Sequence, residues 1–214
     1  SMVNALHESI VATERANLHN LPTDCPQRDE RMFWLNDATV RFEELPFNFE
    51  TGRLFPKIVH DIMDAQDEVG AIPCTVPFIY GTQPTDPVCS SFLIAVKQAY
   101  LHHGDTTLLR EAYPALCAWN DRIYQMSNDG IVSNTLYGDW ASPEDCCMEI
   151  APFSVVTPGA ILSTGYCYYN ARLLARFAEI LSLEQDAAAH RNRAEMIRIA
   201  MLQKWLQEDG TFAS

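Results

Sequence analysis

Apolar residues recur every three or four positions along most of this chain, the spacing of one buried face on an α-helix. Leu6 to Asn20 follows it first. A second helix is expected to start just after Pro26 and run to about Glu44, with Met32, Trp34, Leu35, Ala38 and Val40 at apolar positions. A third spans Leu54 to Val69, carried by Ile58, Ile62, Ala65 and Val69. Gly70 stands where a left-handed residue would close it. Phe92–His103 reads as a helix ended by Gly104-Asp105, and Thr106–Met126 as the next, with a break expected near Pro114. Two long helices, about Gly159–Leu183 and Gln185–Leu206, precede a turn over Glu208–Ser214.

Two stretches lose this period. Residues 71–90 hold four prolines and one glycine, which suits a long loop, because proline cannot donate to a ladder. The second runs roughly from Ser127 to Pro158 and carries Tyr137-Gly138-Asp139-Trp140 and the acidic run Pro143–Cys147. No convincing strand appears. Seven or eight helices with alternating short and long connections imply an all-α fold of hairpins placed side by side, with the long loops sharing one functional face.

Composition narrows the function. Fifteen Lys and Arg face 28 Asp and Glu, a formal charge of −13, which repels phosphate backbones and argues against nucleic-acid binding. No apolar run approaches the ~20 residues of a membrane helix, so no membrane partner is expected. Seven cysteines without a C-x-x-C pair read as mostly reduced, buried thiols. Ser1-Met2 reads as a cloning remnant, and no signal-peptide pattern follows it. The compartment stays open between cytoplasm and periplasm. The six histidines show no metal-ligand spacing, and neither a G-x-S-x-G nor a P-loop occurs, so no metal or cofactor is expected.

The densest polar cluster is Pro22–Arg31, followed by Met32-Phe33-Trp34-Leu35-Asn36-Asp37. Asp24 with Gln27 fits a capping box, and Asp29 and Glu30 suit a helix start. On the same helix Glu30, Trp34 and Asp37 would share a face. An indole between carboxylates suits a sugar ring and raises a carboxyl pKa by desolvation, as general acid catalysis needs. Gly138-Asp139-Trp140 repeats the pairing of carboxylate and indole. Asp86, in Thr85-Asp86-Pro87, suits either an Asx-type turn or a pocket carboxylate.

The run PTDCPQRDER (22–31), with Trp34 and Asp37-Ala38, resembles the signature of bacterial α-L-rhamnosidases, glycoside hydrolase family 78. Asp61-Ile62 with Ala65-Gln66 and Gly70, Thr85-Asp86-Pro87, Gly104-Asp105, Gly138-Asp139-Trp140 and Asp209–Phe212 keep the family's order. The resemblance implies an (α/α)6 barrel, a six-hairpin toroid acting by inversion on terminal α-L-rhamnosyl residues of a glycoside. It implies Glu30 as general acid, with Asp24, Arg28, Trp34, Asp86, Asp139 and Trp140 as sugar-binding residues. Phe33 and Asn36 stand where the family usually has glycine, and Cys89 where tryptophan is common. The family's general base lies further downstream than Ser214. The chain is therefore expected to be the N-terminal portion of the barrel, incomplete and without that base. A non-catalytic carbohydrate-binding or structural helical module is the alternative, and another toroid enzyme acting on other sugars a third. The oligomeric state stays open.

Overall fold

The computed structural model describes residues 1–133, 135–139 and 157–212. Its helices are α1 (Met2–Asn17), α2 (Leu35–Arg41), α3 (Leu45–Asn48), α4 (Leu54–Ala65), α5 (Ser91–His103), α6 (Thr106–Gln125), α7 (Gly159–Ile180) and α8 (Glu184–Trp205). From α4 onward each helix packs on the next in chain order, and α2 lies against α5. That is the hairpin-beside-hairpin arrangement the spacing implies, and among the described residues the fold is all-α apart from one short hairpin.

Local chemistry sets several helix ends. Ser1 Oγ accepts the Asn4 N–H at 3.3 Å, and Asp105 Oδ1 accepts the Leu108 N–H at 2.8 Å, each taking a donor that the first turn leaves orphaned. Gly104 (φ 66°) closes α5 in the left-handed conformation. The core lies between α2, α4, α5, α6 and α7, where Phe42, Phe55, Phe92, Trp119 and Phe177 are fully buried. Each such side chain contributes roughly 1.5–3 kcal/mol through removal from water. Phe42 meets Phe55 edge to face with centroids 5.5 Å apart. Phe33 is buried beside Phe42, with centroids 6.2 Å apart.

Four expectations need correction. The helix expected from Pro26 to Glu44 is only α2, with α3 following. Residues 22–34 fold as a closed loop instead: the Asp24 N–H donates to the Met32 carbonyl at 3.0 Å and the Met32 N–H returns to Asp24 Oδ1 at 3.2 Å. Arg31 turns it with φ 49°. There is no capping box at Asp24, and Glu30, Trp34 and Asp37 do not share a helical face, since Trp34 is the residue before α2.

The helix after Leu54 ends at Ala65 rather than Val69, because Gln66 turns extended and its side chain donates to the Gly70 and Ala115 carbonyls at 2.8 and 3.0 Å. Gly70 (φ 84°) therefore does not cap the helix. A Cβ there would lie 2.7 Å from the Ala118 carbonyl oxygen, so glycine lets this turn rest on α6. Third, α6 runs unbroken through Pro114. The carbonyl that proline leaves without its helical donor belongs to Arg110, an exposed residue. Fourth, Ser127–Asn128 (β1) pairs antiparallel with Ile131–Val132 (β2) across Asp129-Gly130, both with positive φ (49° and 82°). Asp-Gly is the preferred pair for such a two-residue turn.

The other elements agree with the spacing to within a few residues at each end. Residues 71–90 form a helix-free loop, and among the described residues no helix is long and apolar enough to cross a membrane. Cys25, Cys74, Cys89, Cys117 and Cys167 are free thiols, three of them buried. Cys146 and Cys147 lie outside the described residues.

Candidate functional site

Three segments distant in sequence meet at one cavity. Residues 33–35 run antiparallel to 74–76: the Leu35 N–H donates to the Cys74 carbonyl at 2.9 Å, and the Val76 N–H donates to the Phe33 carbonyl at 3.1 Å. This pairing places Trp34 above the proline-rich loop. Tyr80 of that loop and Tyr137 of the next meet the indole edge to face, at 6.3 and 5.7 Å between centroids. The offset geometry is the one aromatic quadrupoles favour.

The resulting cavity, about 870 Å³, is lined on its polar side by Asp24, Cys25, Arg28, Glu30, Asn36 and Asp37 and on its apolar side by Trp34, Tyr80, Leu136 and Tyr137. Phe78 and Ile79 edge it, and Gly81 and Thr82 complete the wall. This volume matches small-molecule sites in general.

The carboxylates are electrostatically unequal. Asp24, Cys25 and Glu30 each bring one donor atom within 4.8 Å of the others. Burial works to raise the Asp24 carboxyl, but hydrogen bonds from Glu30, Cys25 and the backbone outweigh it and hold Asp24 below the ordinary range. The hydrogen bond to Asp24, then burial and the Asp24 charge, hold Glu30 above its range. Of the two, Glu30 therefore takes a proton more readily and Asp24 gives one up more readily, and the Cys25 thiol donates to Asp24 Oδ2 at 2.8 Å. Asp37 is raised, mainly by burial and then by the Asp24 charge. Arg28 sits 3.8 Å from Glu30, but its side chain is 68% exposed, so the pair adds little stability.

Three donors this close could also ligate a cation. The Cys25 thiol is pushed up to about 11, first by burial and then by its hydrogen bond to Asp24.

Of the residues picked from sequence, Asp24, Arg28, Glu30 and Trp34 come together here. Asp86 does not line the cavity. It is 2% exposed, and its Oδ2 accepts the N–H groups of Leu136 and Tyr137 at 2.6 Å each and of Gly138 at 3.3 Å. Rather than a local Asx turn it holds the backbone of Leu136 and Tyr137, two residues of the lining, and so fixes the loop that brings in Tyr137. Asp139 is half-buried, outside the lining, and accepts the Thr157 N–H at 2.8 Å. Trp140 lies outside the described residues.

Tyr80, Tyr137 and Asn36 were not picked from sequence. The aromatic richness of the two long loops is the signal that points to the tyrosines. Cys89, where tryptophan is common, is fully buried and receives the Thr85 hydroxyl at 2.9 Å.

Residues 1–214 match the family described as bacterial alpha-L-rhamnosidase 6 hairpin glycosidase domain. An alpha-L-rhamnosidase of Streptomyces avermitilis is 31% identical over 214 residues, covering 98% of this chain and 19% of that protein. One from Formosa agariphila is 29% identical over 192 residues, covering 88% of this chain and 20% of that protein. The alpha-L-rhamnosidase structure from Dictyoglumus thermophilum superimposes with a TM-score of 0.90 at 32% identity, over 96% of this chain and 23% of that one. The Streptomyces avermitilis enzyme complexed with L-rhamnose gives 0.87 at 28% identity, over 99% of this chain and 19% of that one. The chain spans about a fifth of the length of the curated relatives it matches.

Proposed function

The chain belongs to the bacterial α-L-rhamnosidase six-hairpin glycosidase family, and from that premise we propose that its cavity binds a terminal α-L-rhamnosyl residue of a glycoside, with Glu30 as the acid that releases the leaving group. The setting of Glu30 carries the assignment: a carboxyl in the lining of a pocket with an indole wall, beside Asp24, whose hydrogen bond holds it above the ordinary glutamate range. A solved relative is complexed with L-rhamnose, which supports rhamnose as the sugar.

In the proposed mechanism the apolar face of the sugar ring lies on Trp34, while Asp24, Arg28 and Asp37 take its hydroxyls. Asp139 and Trp140, which follow Tyr137 in sequence, are assigned to the same sugar as the resemblance implies. Glu30 gives its proton to the glycosidic oxygen as the bond from that oxygen to the anomeric carbon breaks. The ring passes through an oxocarbenium-like state that nearby carboxylates stabilise. Water adds from the opposite face and inverts the centre. Activating that water takes a second carboxylate roughly 6.5–9.5 Å from the acid. Asp24 lies within 4.8 Å of Glu30, too close for a water between them. The base is therefore a residue other than Asp24.

In a chain long enough to supply that base, Glu30→Gln should lower turnover of an alkyl α-L-rhamnoside by about 10²–10⁴ while sparing rhamnose binding. Equal turnover in the variant would exclude Glu30 as the acid.

A further inference from the structure

Arg41, on α2, lies outside the lining of the cavity, one helical turn after Asp37, which belongs to it. Its side chain is 19% exposed and reaches two other segments. Nη1 donates to the Thr23 carbonyl at 3.0 Å. Nε stands 3.1 Å from Glu14 Oε1 on α1, and Nη2 donates to Glu14 Oε2 at 3.4 Å. Thr23 is held from α1 as well. Its N–H donates to the Asn17 carbonyl at 2.9 Å, and its hydroxyl lies 3.3 Å from that carbonyl and from Asn17 Oδ1. Glu14, Asn17 and Thr23 are all buried. One guanidinium thus joins α1, α2 and the backbone that leads into Asp24.

A buried ion pair is a weak source of net stability, because desolvation offsets most of its attraction. Burial indeed holds the Glu14 carboxyl above its ordinary range in spite of Arg41. What an apolar side chain could not supply is the bond to Thr23. Asp24 follows that carbonyl directly, and its own N–H and Oδ1 bond the backbone of Met32. The Asp24 carboxyl therefore stands between two anchors, with one oxygen within 4.8 Å of a Glu30 oxygen. Groups in a binding or catalytic site lose much of their effect when displaced by ~1 Å. We propose that Arg41 is a positioning residue, whose bond to the Thr23 carbonyl sets where the Asp24 carboxyl stands against Glu30 and the sugar. This rests on the rhamnoside-binding role proposed above and adds the residue that holds one of its carboxylates.

Variants of the 214-residue chain that differ only at position 41 test it. Glu14→Gln comes first, since it removes the carboxylate that loss of Arg41 would leave buried and unpaired. It should bind L-rhamnose within about twofold of the unsubstituted chain by calorimetry, and Glu30 should titrate unchanged by carbon-detected NMR. Glu14→Gln/Arg41→Met, with its helical circular dichroism retained, should bind about tenfold more weakly, and Glu30 should titrate lower as the bond from Asp24 loosens. Glu14→Gln/Arg41→Lys keeps a donor for Thr23 and should fall between the two in both readouts. It carries the test alone if the methionine variant does not fold. A lower urea midpoint with Glu30 titration and rhamnose affinity both unchanged would make Arg41 a stability residue and overturn the proposal, as would equal losses with lysine and methionine. Failure of the unsubstituted chain to bind L-rhamnose overturns the rhamnoside role, while the Glu30 titration still decides whether Arg41 sets the carboxyl pair.

Discussion

Asp86 Oδ2 accepts the backbone N–H of Tyr137 at 2.6 Å, across 51 positions of sequence. The neighbouring N–H groups of Leu136 and Gly138 converge on the same oxygen. One buried carboxylate therefore positions the aromatic ring that flanks Trp34. Asp86→Ala would leave three backbone donors without their acceptor and should cost about 3 kcal/mol. Asp86→Asn keeps an oxygen that can face them and should cost about 1 kcal/mol. Urea denaturation ranks the two. Rhamnose affinity should fall with Asp86→Ala and largely survive Asp86→Asn.

Asp24 and Glu30 titrate in opposite directions, and each sign has a consequence. Glu30 is raised, so the stability its protonated form contributes is complete below the usual glutamate range and is lost as pH rises through its folded value. Asp24 is lowered, so its contribution is present above the usual aspartate range and is lost as pH falls through its own folded value. Asp24→Asn removes the charge that Glu30 faces, and the Glu30 carboxyl should then titrate lower. Carbon-detected NMR of the Glu30 carboxyl measures this directly; an unmoved titration would separate the two groups.

His190 gives a second pH dependence, away from the pocket. It is 7% exposed, with Nε2 3.1 Å from the Tyr113 hydroxyl. Burial, then the Arg193 charge, lowers its pKa, although Asp121 and Asp186 pull the other way. A lowered histidine is neutral in the fold, so its contribution is present above the ordinary histidine range and is lost as pH drops below it. The urea midpoint should fall between pH 7.5 and pH 5.5, and His190→Gln should flatten that slope.

Phe33 fills core space beside Phe42 and is 2% exposed. Phe33→Ala should cost about 3–5 kcal/mol from lost burial and the cavity left behind. Thermal melting followed by circular dichroism measures it. A change within 0.5 kcal/mol, the range of a neutral surface substitution, would remove Phe33 from the core.

The long helices were legible in the sequence because their buried faces keep one period from end to end. α5 and α7 start within a residue of where the spacing puts them, and Gly104 ends α5 as its position suggests. Residues 22–34 were legible as a motif but not as a shape. Their charges and Pro26 read as a helix start, whereas Asp24 pairs with Met32 and residues 33–35 pair with 74–76. A partner forty residues away leaves no local period to read. Tyr80, Tyr137 and the role of Asp86 were hidden for the same reason, since each depends on where two loops meet. The Asp129-Gly130 hairpin had a local signal, but its strands of two residues each are too short to show alternation.

Titration of the 214-residue chain with L-rhamnose, followed by tryptophan fluorescence and calorimetry, is the most direct test that this cavity is a rhamnosyl site. The proposed role predicts saturable binding that survives Glu30→Gln, is abolished by Trp34→Ala and is weaker for a sugar of different stereochemistry such as D-glucose. No saturable response, or an equal one in Trp34→Ala, would contradict it.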